Sequence, residues 1–154
     1  MTGPRFSGPG RVSPDRAAFL RISHGKGESM AVNRILTNIL SDRLPETRDF
    51  FVDLLGLQVN FEEDWYVHLS APGNLALEVA VWRRDHELVP EAYRDAPRGT
   101  ILTVVVDDVD AVHERAVKLG LPIVAPPRDR FYGQRSCLIR DPNGLLVDVS
   151  TPVS

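Results

Sequence analysis

Between residues 35 and 152 the chain alternates short β-branched, apolar runs with segments of helical periodicity, and it does so twice. Ile35 to Leu40 reads as a strand. Asp42, alone or with Ser41, is a candidate helix cap, with Pro45 near the first turn and Glu46 after it. Thr47, Phe50, Phe51, Leu54 and Leu55 then recur at three- and four-residue spacing, the signature of one buried helix face, and Gly56 stops the helix. Three strand-like runs follow: Leu57 to Phe61, Trp65 to Ser70, and Leu75 to Trp82, the last two separated by the turn signal Ala71-Pro72-Gly73-Asn74. This half reads β-α-β-β-β.

A polar connector covers 83–99, with a short helix expected around Val89 to Arg94, and the pattern then restarts. Thr100 to Val106 is β-branched, Asp107-Asp108 marks a cap, and Val109, Val112, Ala116 and Leu119 line one face of a helix that Gly120 ends. Leu121 to Val124, Arg135 to Ile139 and Leu145 to Val149 make three more strands, separated by Pro126-Pro127 and by the turn Asp141 to Gly144. Ile35-Leu36-Thr37 matches Ile101-Leu102-Thr103, and Leu55-Gly56-Leu57 matches Leu119-Gly120-Leu121. Each copy is too small to bury its own sheet, so two four-stranded curved sheets must pair, within the chain or across a dimer, around a cleft. The fold class is α+β, with βαβββ modules at about 34–82 and 100–152 inside one domain of residues 30–154. Residues 1–29, rich in Gly, Pro, Ser and Arg and without periodicity, are expected to form a disordered tail.

Composition narrows the function classes. Hydrophobic content of 43% and charged content of 25% are those of a soluble globular protein. A net charge of −3 and the lack of a dense basic cluster give no case for nucleic acid. No apolar run approaches the length of a membrane helix, and the N-terminus has no secretory apolar core, so a cytoplasmic protein is expected. The single cysteine, Cys137, excludes an internal disulfide and a cysteine-based zinc cage, and its neighbours Ser136, Leu138 and Ile139 place it as a small buried apolar residue.

Candidate chemistry starts from two carboxylates, Glu78 and Asp148, each set inside a strand otherwise built for burial. Either they face water, or, placed alike in two halves of one chain, they share a site. Tyr66 and His68 alternate on one strand face and are pocket residues if that face lines the cleft, ordinary surface if it does not. His86, in a charged connector, falls where the cleft mouth is expected, though a solvated face is the commoner role of such a cluster. Phe131-Tyr132-Gly133-Gln134-Arg135 reads as an aromatic flap leading into a strand. With Trp65 and Trp82 these rings offer flat, partly polar contact to a ligand, or else belong to the core or a dimer interface.

Three segments carry a resemblance. They are Arg48-Asp49-Phe50-Phe51-Val52-Asp53-Leu54-Leu55-Gly56-Leu57, Val104-Val105-Val106-Asp107-Asp108-Val109-Asp110-Ala111 and Arg140-Asp141-Pro142-Asn143-Gly144. In this order and spacing, with the repeated βαβββ unit, the chain over residues 34–152 resembles the vicinal oxygen chelate superfamily of glyoxalase I, antibiotic-resistance proteins and extradiol dioxygenases. The resemblance implies a divalent-metal site built from one residue of the first and one of the last strand of each half, usually His and Glu. Counting from the motifs, these positions fall on Leu36, Glu78, Ile101 and Asp148. Two acids without imidazoles are a poor set for zinc, nickel or iron, so no metal or other cofactor is expected. The resemblance then points to a homodimer that binds a small-molecule ligand without metal, through Tyr66, His68, Glu78, Trp82, Phe131, Tyr132, Arg135 and Asp148. Two alternatives stand beside it: a lyase, isomerase or dioxygenase-type enzyme using Glu78 or Asp148, and a non-catalytic dimeric scaffold.

Overall fold

A computed structural model describes residues 30–154, and the expected tail at 1–29 lies outside the described residues. Within the compact unit Leu36–Ser154, two modules follow one plan. The first comprises β1 (Thr37–Ser41), α1 (Leu44–Asp49), β2 (Gln58–Glu62), β3 (Tyr66–Ala71) and β4 (Asn74–Arg83). The second comprises β5 (Ile101–Val105), α2 (Val109–Lys118), β6 (Ile123–Asp129), β7 (Gln134–Arg140) and β8 (Leu146–Pro152). Each forms a four-stranded mixed sheet, ordered β1-β4-β3-β2 and β5-β8-β7-β6, in which the first strand runs parallel to the last. The helix of each module is the crossover that a parallel pairing requires.

Strand alternation decides which residues meet the helices. Val67 and Leu69 of β3, Val79 and Val81 of β4, Cys137 and Ile139 of β7, and Val147 and Val149 of β8 are all buried. They join Phe50, Phe51, Leu54, Val109, Val112 and Ala116 in one core that runs through both modules. The intervening residues of the same strands point to the opposite, concave face. That face carries the candidate site.

Four local differences from the sequence reading have physical causes. The first helix is regular only to Asp49 and continues as a wider π-helical turn over Phe50–Leu54, which brings the consecutive Phe50 and Phe51 rings into the core at 5.2 Å, edge to face. Ser41 and Asp42 do not cap α1. The Ser41 hydroxyl instead accepts from Arg43 N at 2.8 Å, and Asp42 pairs with Arg84 on the surface. The connector holds only a single 3-10 turn, Glu91–Tyr93. Finally, Pro126 and Pro127 lie inside β6 rather than beyond its end. β6 is an edge strand whose pairing to β7 slips between Ala125 and Arg128, so neither proline removes a needed ladder bond.

The Asp141–Gly144 turn joins the two modules. The Asp141 carboxylate accepts from the backbone N–H groups of Asn143 and Leu145, both at 2.8 Å, and from Asn143 Nδ2 at 2.9 Å. Asn143 Nδ2 also donates to Thr47 Oγ1 at 2.9 Å, and Asn143 Oδ1 accepts from Ser41 Oγ at 2.5 Å. Gly144, at φ +87°, is the residue of this turn in the left-handed region. Arg115 of α2 adds a second tie, donating to the Leu54 carbonyl at 3.1 Å.

Candidate functional site

The concave face of the first sheet is built around Glu78. Its Oε2 lies 2.9 Å from His68 Nε2, diagonally across the β3–β4 pair, and both side chains are almost fully buried. Gln58 Nε2 donates to Asn60 Oδ1 at 3.1 Å, which fixes the orientation of the Asn60 amide. Asn60 Nδ2 then donates to Ser70 Oγ at 2.7 Å and stands 3.3 Å from His68 Nδ1. An amide nitrogen cannot accept, so Nδ1 is the accepting ring nitrogen and Nε2–H faces the Glu78 carboxylate.

The rings extend this face toward one end. Tyr66 and Trp82 meet at 5.8 Å, Trp65 and Trp82 at 5.4 Å, and Trp65 stacks on His86 at 4.3 Å with an interplanar angle of 18°. Trp82 Nε1 donates to Asn38 Oδ1 at 2.7 Å, across β1 and β4. Tyr66, His68, Glu78 and Trp82 are therefore brought together, and His86 is attached to them through Trp65.

The second sheet repeats the plan with different chemistry. Asp148 Oδ1 accepts from Ser136 Oγ at 2.6 Å, on the same β7–β8 diagonal that His68 and Glu78 occupy on β3 and β4. Asp148 Oδ2 accepts from Thr103 Oγ1 at 3.2 Å. A cavity of about 610 Å³ opens over this carboxylate, floored by Ile101, Leu138 and Leu146 and flanked by Arg128, Phe131 and Tyr132. Phe131 is fully exposed at the tip of the β6–β7 turn, its ring packed edge to face on Tyr132 at 5.3 Å. Asp148, Phe131 and Tyr132 thus share one cavity.

Two placements depart from the sequence reading. Arg135 lies on the helix side of β7 and is fixed by Asp110 at the start of α2 (3.0 Å) and by Asp129 (3.1 Å), so its side chain stands on the face opposite Asp148. The residue across β5 from Asp148 is Thr103, while Ile101 pairs with Leu146. In the first module Thr37 pairs with Val79, one residue after Glu78. Matching the two acids therefore aligns Thr37 with Val104, one residue away from the alignment drawn on the Ile-Leu-Thr strings. Glu78 and Asp148 themselves stand on separate sheets, each with its own hydrogen-bond partners.

The family's metal ligands find no matching donor set. Leu36 precedes β1 and carries no donor, and Asp148 is ringed by two hydroxyls rather than an imidazole. Among the described residues, no three His, Cys, Asp or Glu side chains converge where they could hold a metal ion. Such a set does not fit a soft or borderline divalent cation. Ser136, Thr103, Asn60, Ser70 and Arg128 were not singled out by sequence reasoning. The available signal for Ser70 was its place two residues beyond His68; Ser136 is found only by superposing the repeats on their carboxylates.

A family model of the Glyoxalase/Bleomycin resistance protein/Dioxygenase superfamily matches residues 32–149. The chain belongs to this superfamily. Solved structures with the same fold include a superfamily member from Sphaerobacter thermophilus DSM 20745, 21% identical, with a TM-score of 0.66 over 80% of this chain and 99% of that one. TioX from Micromonospora sp. ML1 is 22% identical, with a TM-score of 0.62 over 78% and 98%. The virulence protein STM3117 from Salmonella typhimurium is 24% identical, with a TM-score of 0.63 over 80% and 100%. No curated protein matches the chain. At these identities the structures establish the shared glyoxalase-like fold and leave the chemistry to the site itself. Among the described residues no helix is long and apolar enough to cross a membrane.

Proposed function

We propose that the protein binds a small organic molecule on its concave sheet faces without using a metal, as a cytoplasmic homodimer. The observation that carries this reading is the pair of carboxylates held by hydroxyl and imidazole groups of their own sheets. Asp148 accepts from Ser136 and Thr103, and Glu78 faces His68. Asp148, held by two hydroxyls at the edge of a cavity, keeps lone pairs for a ligand hydroxyl, amine or cation. The rings of Tyr66 and Trp82 in one module, and of Phe131 and Tyr132 in the other, provide flat apolar contact beside each acid. A thermal-shift screen of small molecules against the wild type, Glu78→Gln and Asp148→Asn tests this. Hits lost in at least one variant support it; hits unchanged in both reject these acids as the site. A monomer by light scattering would reject the dimer.

The His68–Glu78 contact favours a second reading, an enzyme of the lyase or isomerase kind. A carboxylate 2.9 Å from an imidazole N–H is a competent acid–base pair when a substrate proton comes within reach. Turnover that disappears in both Glu78→Gln and His68→Gln, with a pH-rate profile that changes shape in His68→Gln, supports it. A flat profile counts against it.

A further inference from the structure

The second-module cavity carries a charge arrangement that the two acids do not explain. Arg128 pairs across β6 and β7 with Ser136, the residue that donates to Asp148, and its side chain lines the same cavity as that carboxylate. Thr103, Asp148, Ser136 and Arg128 therefore form one polar row across four strands, with Ile101, Leu138 and Leu146 beside it. Arg128 follows Pro126-Pro127 at the register slip of β6, the kind of irregularity that re-aims a side chain.

The charges along the turn are sorted by face. Asp129 is taken by Arg135 on the helix side, at 3.1 Å. Arg128 and Arg130, which flank it and both line the cavity, form no ion pair among the described residues. Two guanidinium groups thus border a cavity whose two carboxylates are both engaged, Asp129 by Arg135 and Asp148 by two hydroxyls. A pocket of that balance attracts an anion at the arginine edge and a hydrogen-bond donor at Asp148.

Resting on the proposal that the concave faces bind an organic ligand, we infer that the second-module cavity selects an aromatic acid. Its anionic group meets Arg128, its hydroxyl or amino group donates to Asp148, and its ring lies on Leu138 and Leu146 under Tyr132. β6 and β8 are separated by one strand, and Arg128 is offset from Asp148 by two residues along it. Their backbone positions therefore stand roughly 12 Å apart, a gap that the two side chains and a ligand of one or two rings can bridge. Arg128 is the residue that sets specificity for the acid; Arg130 supports it through charge.

Two fluorescent dyes with the same ring body separate this inference from the reading beneath it. Anilinonaphthalene sulfonate carries an acid and an aniline N–H, whereas N-phenylnaphthylamine lacks the acid. Wild type is expected to bind both saturably with near-UV dichroism unchanged, which distinguishes a native site from loosened packing. Arg128→Met should weaken the sulfonate about tenfold, the scale of one charge-assisted bond, and leave the uncharged dye within about twofold. Arg128→Lys, which keeps the charge, should recover part of the loss. If Arg128→Met leaves the sulfonate unchanged, or weakens both dyes alike, the acid specificity is overturned while binding in the cavity stands. If neither dye binds the wild type, both the inference and the reading beneath it fall.

Discussion

His68 stands to Glu78 as Ser136 stands to Asp148: each donor lies on the third strand of its module, diagonally across from the acid on the fourth. Duplication kept the position and changed the group. An imidazole fills the first-module position and is itself held against Asn60, whereas a hydroxyl leaves space above Asp148 for a cavity. The imidazole is the larger buried group and contacts both Glu78 and Asn60, so removing it costs more. His68→Ala is expected to lower unfolding free energy by about 2–3 kcal/mol, and Ser136→Ala by about 1 kcal/mol. Urea denaturation of both variants decides it, and equal or reversed costs would mean the two diagonals are not comparable.

Asp141 holds the junction between the modules, and its loss should be felt by both. Its carboxylate accepts three hydrogen bonds, and one of those donors, the Asn143 amide, also reaches Thr47. Asp141→Ala strips the turn of all three and is expected to cost about 2–4 kcal/mol. A loss below about 1 kcal/mol by urea denaturation would show that the turn holds without its acid.

The same residue has a pH signature. Burial pushes the Asp141 carboxyl above its ordinary value, and the bonds from Asn143, Leu145 and Gly144 only partly oppose this. A raised folded pKa means that the native state holds more protons than the unfolded chain between the ordinary carboxylate value, about 3.9, and the folded one. This group's contribution therefore declines as pH rises through that window. Asp141→Asn does not titrate, so its deficit against wild type should shrink as pH rises through that window. Melting temperatures of the two proteins across that range test the sign, and a widening deficit would reverse it.

The fold was legible because both of its levels leave periodic marks. Phe50, Phe51, Leu54 and Val109, Val112, Ala116 marked the helices, and the alternation in β3, β4, β7 and β8 marked the sheets. The acids Glu78 and Asp148 were visible as charges inside apolar strands, and the shared face of Tyr66 and His68 followed from the two-residue strand period. Pairing across strands was not legible, because period alone does not set register. Counting back from Asp107 to Ile101 therefore placed the neighbour of Asp148 two residues before Thr103, its partner in the sheet. Arg135 was misjudged for a related reason: it opens β7 beside the aromatic turn, yet one step of strand parity sends it to Asp110 instead of the cavity. The role of Asn143 lay out of reach, since its partners Ser41 and Thr47 are 102 and 96 residues away.

Arg135 and Arg128 now make opposite predictions. Arg135 holds Asp110 below its ordinary carboxylate value, chiefly through their hydrogen bonds. A depressed folded pKa contributes stability that is present above the unfolded value and lost as pH falls through the folded one. Arg135→Met should therefore lower the melting temperature at neutral pH, and the difference from wild type should fade in strong acid. It should also leave dye binding at the Asp148 cavity within about twofold, unlike Arg128→Met. Loss of binding in Arg135→Met, with native dichroism retained, would place its side chain in the site after all.

Cys137 offers a test of the core itself. Its thiol is fully buried between the sheet and α2, and desolvation pushes it up to about 11, with Asp110 and Asp148 adding to the effect. At pH 8 only about one thiol in a thousand is then ionised, and that thiolate has no path to solvent. Native protein should react with a disulfide reagent at pH 8 only as fast as it opens, while the urea-unfolded chain should release one equivalent at once. Rapid reaction of the native state would mean that β7 and α2 separate far more readily than their continuous core implies. It would also reopen the cysteine as a reactive group, since Ser136 beside it already touches the Asp148 site.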